Sequence, residues 1–168
     1  ACEVAVIMEH AATRMMAEQR DEFHYLTLMN ENYPMPDLLP GSEPDLLRGM
    51  YLLQAVDAAD ARAHVRLLGS GTILREVVEA ARLLAQRHAV SSEVFSVTSF
   101  SELAREAREL QRLDRTAPLP TARESHVDRL LGGAAPVVAA TDYVRAWPQL
   151  IAEYVDAPYA TLGTDGFG

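Results

Sequence analysis

A three-layer α/β/α fold with a mostly parallel sheet is predicted by three features of the sequence. From position 50 onward, short β-favouring apolar runs alternate with helical stretches of ten to sixteen residues. That alternation calls for a parallel sheet covered on both faces, with right-handed crossovers. The length of 168 residues, with 49% hydrophobic and 23% charged residues, supports one good core plus an appendage.

Taken in order, residues 3–18 place Val4, Ile7, Met8, Ala11 and Met15 on one helical stripe. Met8, Met15, Met16 and Met29 read as core filling rather than as a soft-metal face. A turn at 19–21 leads to a strand at 22–29, carrying Phe23, Tyr25, Leu26 and Leu28. The strand empties into Asn30, Glu31, Asn32 and Tyr33, and Pro34 and Pro36 forbid its continuation as a central strand or helix. Four prolines and a glycine make 30–44 an extended linker.

Beyond it the pattern predicts a short helix at 43–49, a strand at 50–56 and a polar turn at 57–61. A strand at 64–68, a turn at 69–72 and a helix at 73–88 follow. Thr72 is the expected N-cap, and Ile73, Val77, Ala81 and Leu84 form the buried row. A strand at 93–98 and helices at 101–113 and around 123–131 come next, then a strand at 137–140, a helix at 143–154 and a strand at 159–162. Pro148 implies a kink or a new helix start at Trp147.

A formal charge of −9 argues against nucleic acid or an anionic membrane as partner. The lone Cys2 precludes an internal disulfide and fits a reducing cytoplasm. No apolar run reaches the ~20 residues of a membrane span, and no signal peptide is recognisable. His10, His24, His64, His88 and His126 lack metal spacing and read as surface or half-buried residues. Glu102, Glu106 and Glu109 interleave with Arg105, Arg108 and Arg112, with Glu102–Arg105 and Glu109–Arg112 at i+3, the pattern of solvated ion pairs on an exposed helix face. Gly69-Ser70-Gly71-Thr72 has the form of a phosphate-cradling loop but lacks the remaining P-loop or dinucleotide residues, so a tight strand-to-helix turn is expected. Asn30, Glu31, Asn32 and Tyr33 are the candidate site: they either brace the turn, with Tyr33 over the linker, or contact substrate at a strand end.

Five blocks resemble, in order, the homodimeric decarboxylating component of bacterial pyruvate dehydrogenase complexes, a transketolase-like enzyme. They are 3–8 (Glu-Val-Ala-Val-Ile-Met), 30–36 (Asn-Glu-Asn-Tyr-Pro-Met-Pro), 67–75, 97–100 (Val-Thr-Ser-Phe), and 136–143 together with 162–168. The resemblance implies the end of a pyrimidine-binding domain at 1–29, the linker, and a transketolase C-terminal-like domain at 45–168. It also implies thiamine diphosphate and Mg2+, oxidoreductase or transferase chemistry, and transfer of a two-carbon acyl unit to a lipoyl or acyl carrier. Asn30–Tyr33 would then close over the reacting intermediate. The expected partners are a cofactor-domain chain or the rest of the same protein, an acyltransferase core or carrier protein, and a second subunit in a dimer.

The family's Gly-Asp-Gly magnesium motif and its activating glutamate are not found here, and Asp165-Gly166-Phe167-Gly168 lacks the motif's leading glycine and its asparagine. The resemblance therefore assigns no cofactor or metal ligand to this chain. It points to a piece of a larger protein, an excised part or a split subunit, inactive alone. Pro34 stands where several members carry a proton-handling histidine, and 111–127 keeps only fragments of the family's blocks. These departures leave open a split enzyme that takes a two-carbon glycolyl unit from a ketose phosphate, and a non-catalytic assembly module.

Overall fold

The alternating apolar runs become one five-stranded sheet in the computed structural model, which describes residues 2–29, 34, 36–117 and 123–166. The strands are β1 (Met50–Val56), β2 (Ala63–Ser70), β3 (Val90–Val97), β4 (Val137–Thr141) and β5 (Tyr159–Leu162). Their order across the sheet is β1-β3-β2-β4-β5, with β1 antiparallel to β3 and every other pair parallel. The helices are α1 (Cys2–Ala12), α2 (Glu43–Leu47), α3 (Leu74–His88), α4 (Phe100–Thr116), α5 (His126–Leu131) and α6 (Ala146–Gln149). No helix among the described residues is long and apolar enough to cross a membrane.

Alternation along the strands sends side chains to two cores. On one face Met50, Leu68, Phe95 and Val97 meet Phe100, Leu103 and Ala107 of α4 and Val127 and Leu131 of α5. On the other, Tyr51, Leu53, Leu67 and Val94 meet Leu46 of α2 and Leu74, Val77 and Ala81 of α3, with Val6 and Ile7 of α1 packed alongside. The three layers expected from periodicity are the ones observed. One irregularity marks the sheet margin: the β1–β3 register shifts between Leu52 and Gln54, leaving Leu53 as a bulge. Gly49 ties the entrance of β1 to the exit of β3. Its φ is +107°, and its carbonyl accepts the N–H groups of Thr98 and Ser99 at 2.9 and 3.0 Å. A Cβ there would sit 2.6 Å from the Ser99 carbonyl oxygen.

The departures from the sequence reading have physical causes. Residues 22–29 form no strand: nothing among the described residues lies alongside to complete a ladder, and Phe23 and Tyr25 are 88% and 84% exposed. The helical stripe of 3–18 ends as α1 at Ala12 and widens into a π-turn over Thr13–Ala17, leaving Met8 and Met16 exposed rather than in a core. Strand β3 begins at Val90 because Val90, Ser91 and Ser92 pair with Ala63, His64 and Val65, so ladder bonds override weak β-propensity. Helix 143–154 breaks into α6 and a 3-10 turn at Ala152–Tyr154 around Pro148. Ser99, not Ser101, opens α4: its Oγ accepts the Glu102 N–H at 3.2 Å.

Two polar residues expected at the surface are structural. Arg105 and Arg112 do pair with Glu102 and Glu109 on the exposed face of α4. Glu106 instead receives Arg48 from the α2–β1 turn and the backbone N–H of His126 at 3.0 Å. His126, expected at least half exposed, is fully buried. It occupies the first turn of α5, where Ser125 and Asp128 form a capping box that aims its ring inward. Its Nε2 lies 2.7 Å from the Met50 carbonyl, and its Nδ1 accepts from Arg129 at 3.0 Å. These partners fix the neutral Nε2–H tautomer.

Burial lowers the His126 pKa, with the Met50 carbonyl opposing that shift and Arg48 adding to it. The unfolded chain takes up this proton near the ordinary value of about 6.5, whereas the folded chain resists it. Stability is therefore full above that value and falls as pH drops below it. His126→Phe should cost about 1–3 kcal/mol at pH 7.5 by orphaning its polar neighbours. It should also flatten the fall below pH 6.5. Urea unfolding across pH checks both, and an unchanged pH slope in the variant would refute the assignment.

Candidate functional site

In an open parallel sheet a ligand is expected beyond the carboxyl ends of the strands, where the winding reverses. Here that point lies between β2 and β4: from β2 the chain goes to β3 on one side, then returns to β4 on the other. The loop after β2 contributes a 3-10 turn at Gly71–Ile73 leading into α3, with backbone N–H groups suited to an anion. The protein fills this crevice itself. Asp142, just past β4, accepts the Thr72 N–H and the Thr72 hydroxyl on Oδ2, each at 2.9 Å. Gly71 has φ +70°, and a Cβ there would collide with both Asp142 carboxylate oxygens. Thr72 is accordingly not the N-cap of α3: that position is Ile73, without a side-chain bond. The loop is a strand-to-helix turn held shut by an internal carboxylate.

The neighbouring acid is also engaged. Asp165 accepts the backbone N–H of Arg145 at 2.9 Å and is paired with its guanidinium, and together they hold its carboxyl below the usual range. Aromatic Tyr143 and Trp147 lean together beside it, ring centroids 6.2 Å apart. Thiamine diphosphate with magnesium would need a cradle for two phosphates and a set of oxygen ligands. The described residues do not fit it: Asp142 plugs the crevice, Arg145 holds Asp165, and no cluster of three or more His, Cys, Asp or Glu among them can hold a metal ion.

The four sequence-derived site residues, Asn30, Glu31, Asn32 and Tyr33, lie outside the described residues. Their approach is described. The π-turn at the end of α1 brings Arg14 onto Glu22 with two hydrogen bonds, pulling that carboxyl down to about 2. His24 Nε2 stands 3.3 Å from the same carboxylate. This clasp reverses the chain into segment 22–29, whose apolar side chains point to solvent on both sides: Leu28 and Met29 are also exposed. Pro34 is exposed, and the Cys2 thiol lies 3.7 Å from the Pro36 carbonyl.

Sequence reasoning missed two polar contacts. Asp142 carries no local signal of its partner 70 residues earlier. Glu3 had one: it lies four residues before Ile7, on the buried stripe of α1. Its Oε1 accepts Tyr51 Oη at 2.9 Å and Ser96 Oγ at 2.6 Å.

Comparison with known proteins finds two family matches along the chain. Residues 49–168 match the family model of the transketolase-like TK C-terminal domain, and residues 1–36 match that of the pyruvate dehydrogenase E1 component middle domain. The pyruvate dehydrogenase E1 component of Cupriavidus necator is 47% identical over 167 residues, 99% of this chain. Those of Pseudomonas aeruginosa and Escherichia coli K12 are 45% and 43% identical over an alignment of 170 positions that covers 100% of this chain. The chain spans 19% of the length of each of these relatives. Among solved structures, transketolase from Leishmania mexicana aligns at 25% identity and TM-score 0.43, over 77% of this chain and 15% of its own.

The plugged crevice makes a specific prediction. Asp142→Ala should cost about 1–3 kcal/mol by orphaning the Thr72 N–H. Gly71→Ala should cost at least as much, and the double variant should cost less than the sum, because removing the carboxylate makes room for the new methyl. Strict additivity in urea unfolding would refute the packing. From the parallel sheet with its closed carboxyl crevice and the match over residues 49–168, the chain belongs to the transketolase-like C-terminal domain family.

Proposed function

We propose that this chain is part of a thiamine diphosphate-dependent pyruvate dehydrogenase E1 component. In this reading it comprises the last helix and strand of the pyrimidine-binding domain, the linker, and the C-terminal domain. The enzyme cleaves the bond beside the 2-oxo group of pyruvate and passes the two-carbon acyl unit to a lipoyl carrier. Cofactor and magnesium are held by parts of the enzyme beyond this chain, in a reducing cytoplasm. The chain contributes dimer surface, a docking face for the acyltransferase core, and a rim in which Asn30, Glu31, Asn32 and Tyr33 meet the substrate.

The observation that carries this reading is segment 22–29. A strand with large apolar side chains on both faces is suited only to the interior of a sheet covered on both sides. This segment pairs with no strand of the five-stranded sheet. The match of residues 1–36 to the E1 middle domain supports a sheet in the rest of the enzyme as its place. Pro34 favours a second reading, a two-carbon unit drawn from a ketose phosphate, because proline offers no proton at a place where several of the resembling enzymes carry a histidine.

The test is complementation. The chain is co-expressed with the Cupriavidus necator E1 component lacking its matching segment, and turnover is followed as carbon dioxide release or acceptor reduction. The expected result is co-purification and pyruvate turnover well above that of the truncated component alone. Turnover of ketose phosphate instead of pyruvate would replace this reading with the second. Tight association with neither activity would leave an assembly module and overturn both.

A further inference from the structure

Two buried hydroxyls on the sheet depend on a carboxylate from outside it. Tyr51 in β1 and Ser96 in β3 are cross-strand partners, 1% and 3% exposed. Hydroxyls so placed need an acceptor, and Glu3 of α1 provides one oxygen to both, at 2.9 and 2.6 Å. Burial pushes the Tyr51 phenol far up, the Glu3 carboxylate adding to it, so Tyr51 stays a donor at every working pH. The apolar contacts of Val6 and Ile7 hold α1 to the sheet without fixing its rotation or its height. The forked hydrogen bond fixes both, because it joins one atom of the helix to a register pair of the ladder. Everything leaving α1, through the Arg14–Glu22 clasp to segment 22–29, takes its direction from that seat.

We infer that Glu3 is a positioning residue: it clamps the portion of the chain that matches the E1 middle domain onto the transketolase-like sheet, and so sets where segment 22–29 meets the rest of the enzyme. The inference rests on the function proposed above for its consequence and on the geometry alone for the clamp.

Two measurements on Glu3→Ala, Glu3→Gln, Tyr51→Phe and Ser96→Ala test it. In the full chain, amides of residues 6–11 should exchange hydrogen about tenfold faster in Glu3→Ala, with smaller effects in Tyr51→Phe and Ser96→Ala. Glu3→Gln should stay near the parent rate, since its amide oxygen still accepts both hydroxyls. In the complemented enzyme, Glu3→Ala should raise KM for pyruvate about fivefold or more, and Glu3→Gln should restore it. A purely structural role would lower only the fraction of active enzyme and leave KM alone. Parent-like exchange in Glu3→Ala overturns the clamp, and faster exchange with unchanged KM overturns the positioning role. If the unsubstituted complemented enzyme turns over no pyruvate, the proposed function fails, and the exchange experiment still decides the clamp.

Discussion

Strand β2 lies between β3 and β4, parallel to both, with α3 on one face and α4 and α5 on the other. From Arg66 to Gly69 its backbone is engaged on both edges at once. Such a strand has no freedom to adjust, so its neighbours adjust to it. Arg66 reaches the carbonyls of Leu131 and Gly132 and the carboxylate of Glu93, gathering the end of α5 and strand β3 around it. At its carboxyl end the turn into α3 is fixed in place, and Asp142 is drawn over from the next strand to satisfy it. Among the described residues the crevice at the usual ligand place in such a sheet is therefore filled by the protein's own carboxylate.

The elements whose fate is set by local pattern were legible in the sequence. The bounds of β1 and β5, the row on α3 and the break at Pro148 all follow from periodicity or from the chemistry of a single residue. Long-range satisfaction of polar groups was not legible. The burial of His126 depends on the Met50 carbonyl, 76 residues away, and the placement of the half-buried Asp142 carboxylate on Thr72, 70 residues away. No window of sequence contains both members of either pair. Segment 22–29 teaches a different lesson: its strand pattern is real, but a strand is a property of a pair, and no pairing strand for it is described.

The two portions of the chain thus have opposite characters. The sheet domain is closed, its crevice filled and its ladders complete from β3 to β4. The leading portion is open, ending in apolar residues turned to solvent. Between them stand the apolar contacts of Val6 and Ile7 and one forked carboxylate, Glu3. A chain so built presents a rigid support to whatever completes it, and the orientation of the joint depends on a few polar atoms.

The bulge at Leu53 bears on how such a domain behaves when copies of it are crowded together. Strand β1 forms a margin of the sheet, and an unbroken margin invites the same strand of another molecule to zip onto it. The register shift between Leu52 and Gln54 spoils that template by putting the donors and acceptors on either side out of phase. Copies of the domain at high concentration would gain most from this protection against fibre-like stacking.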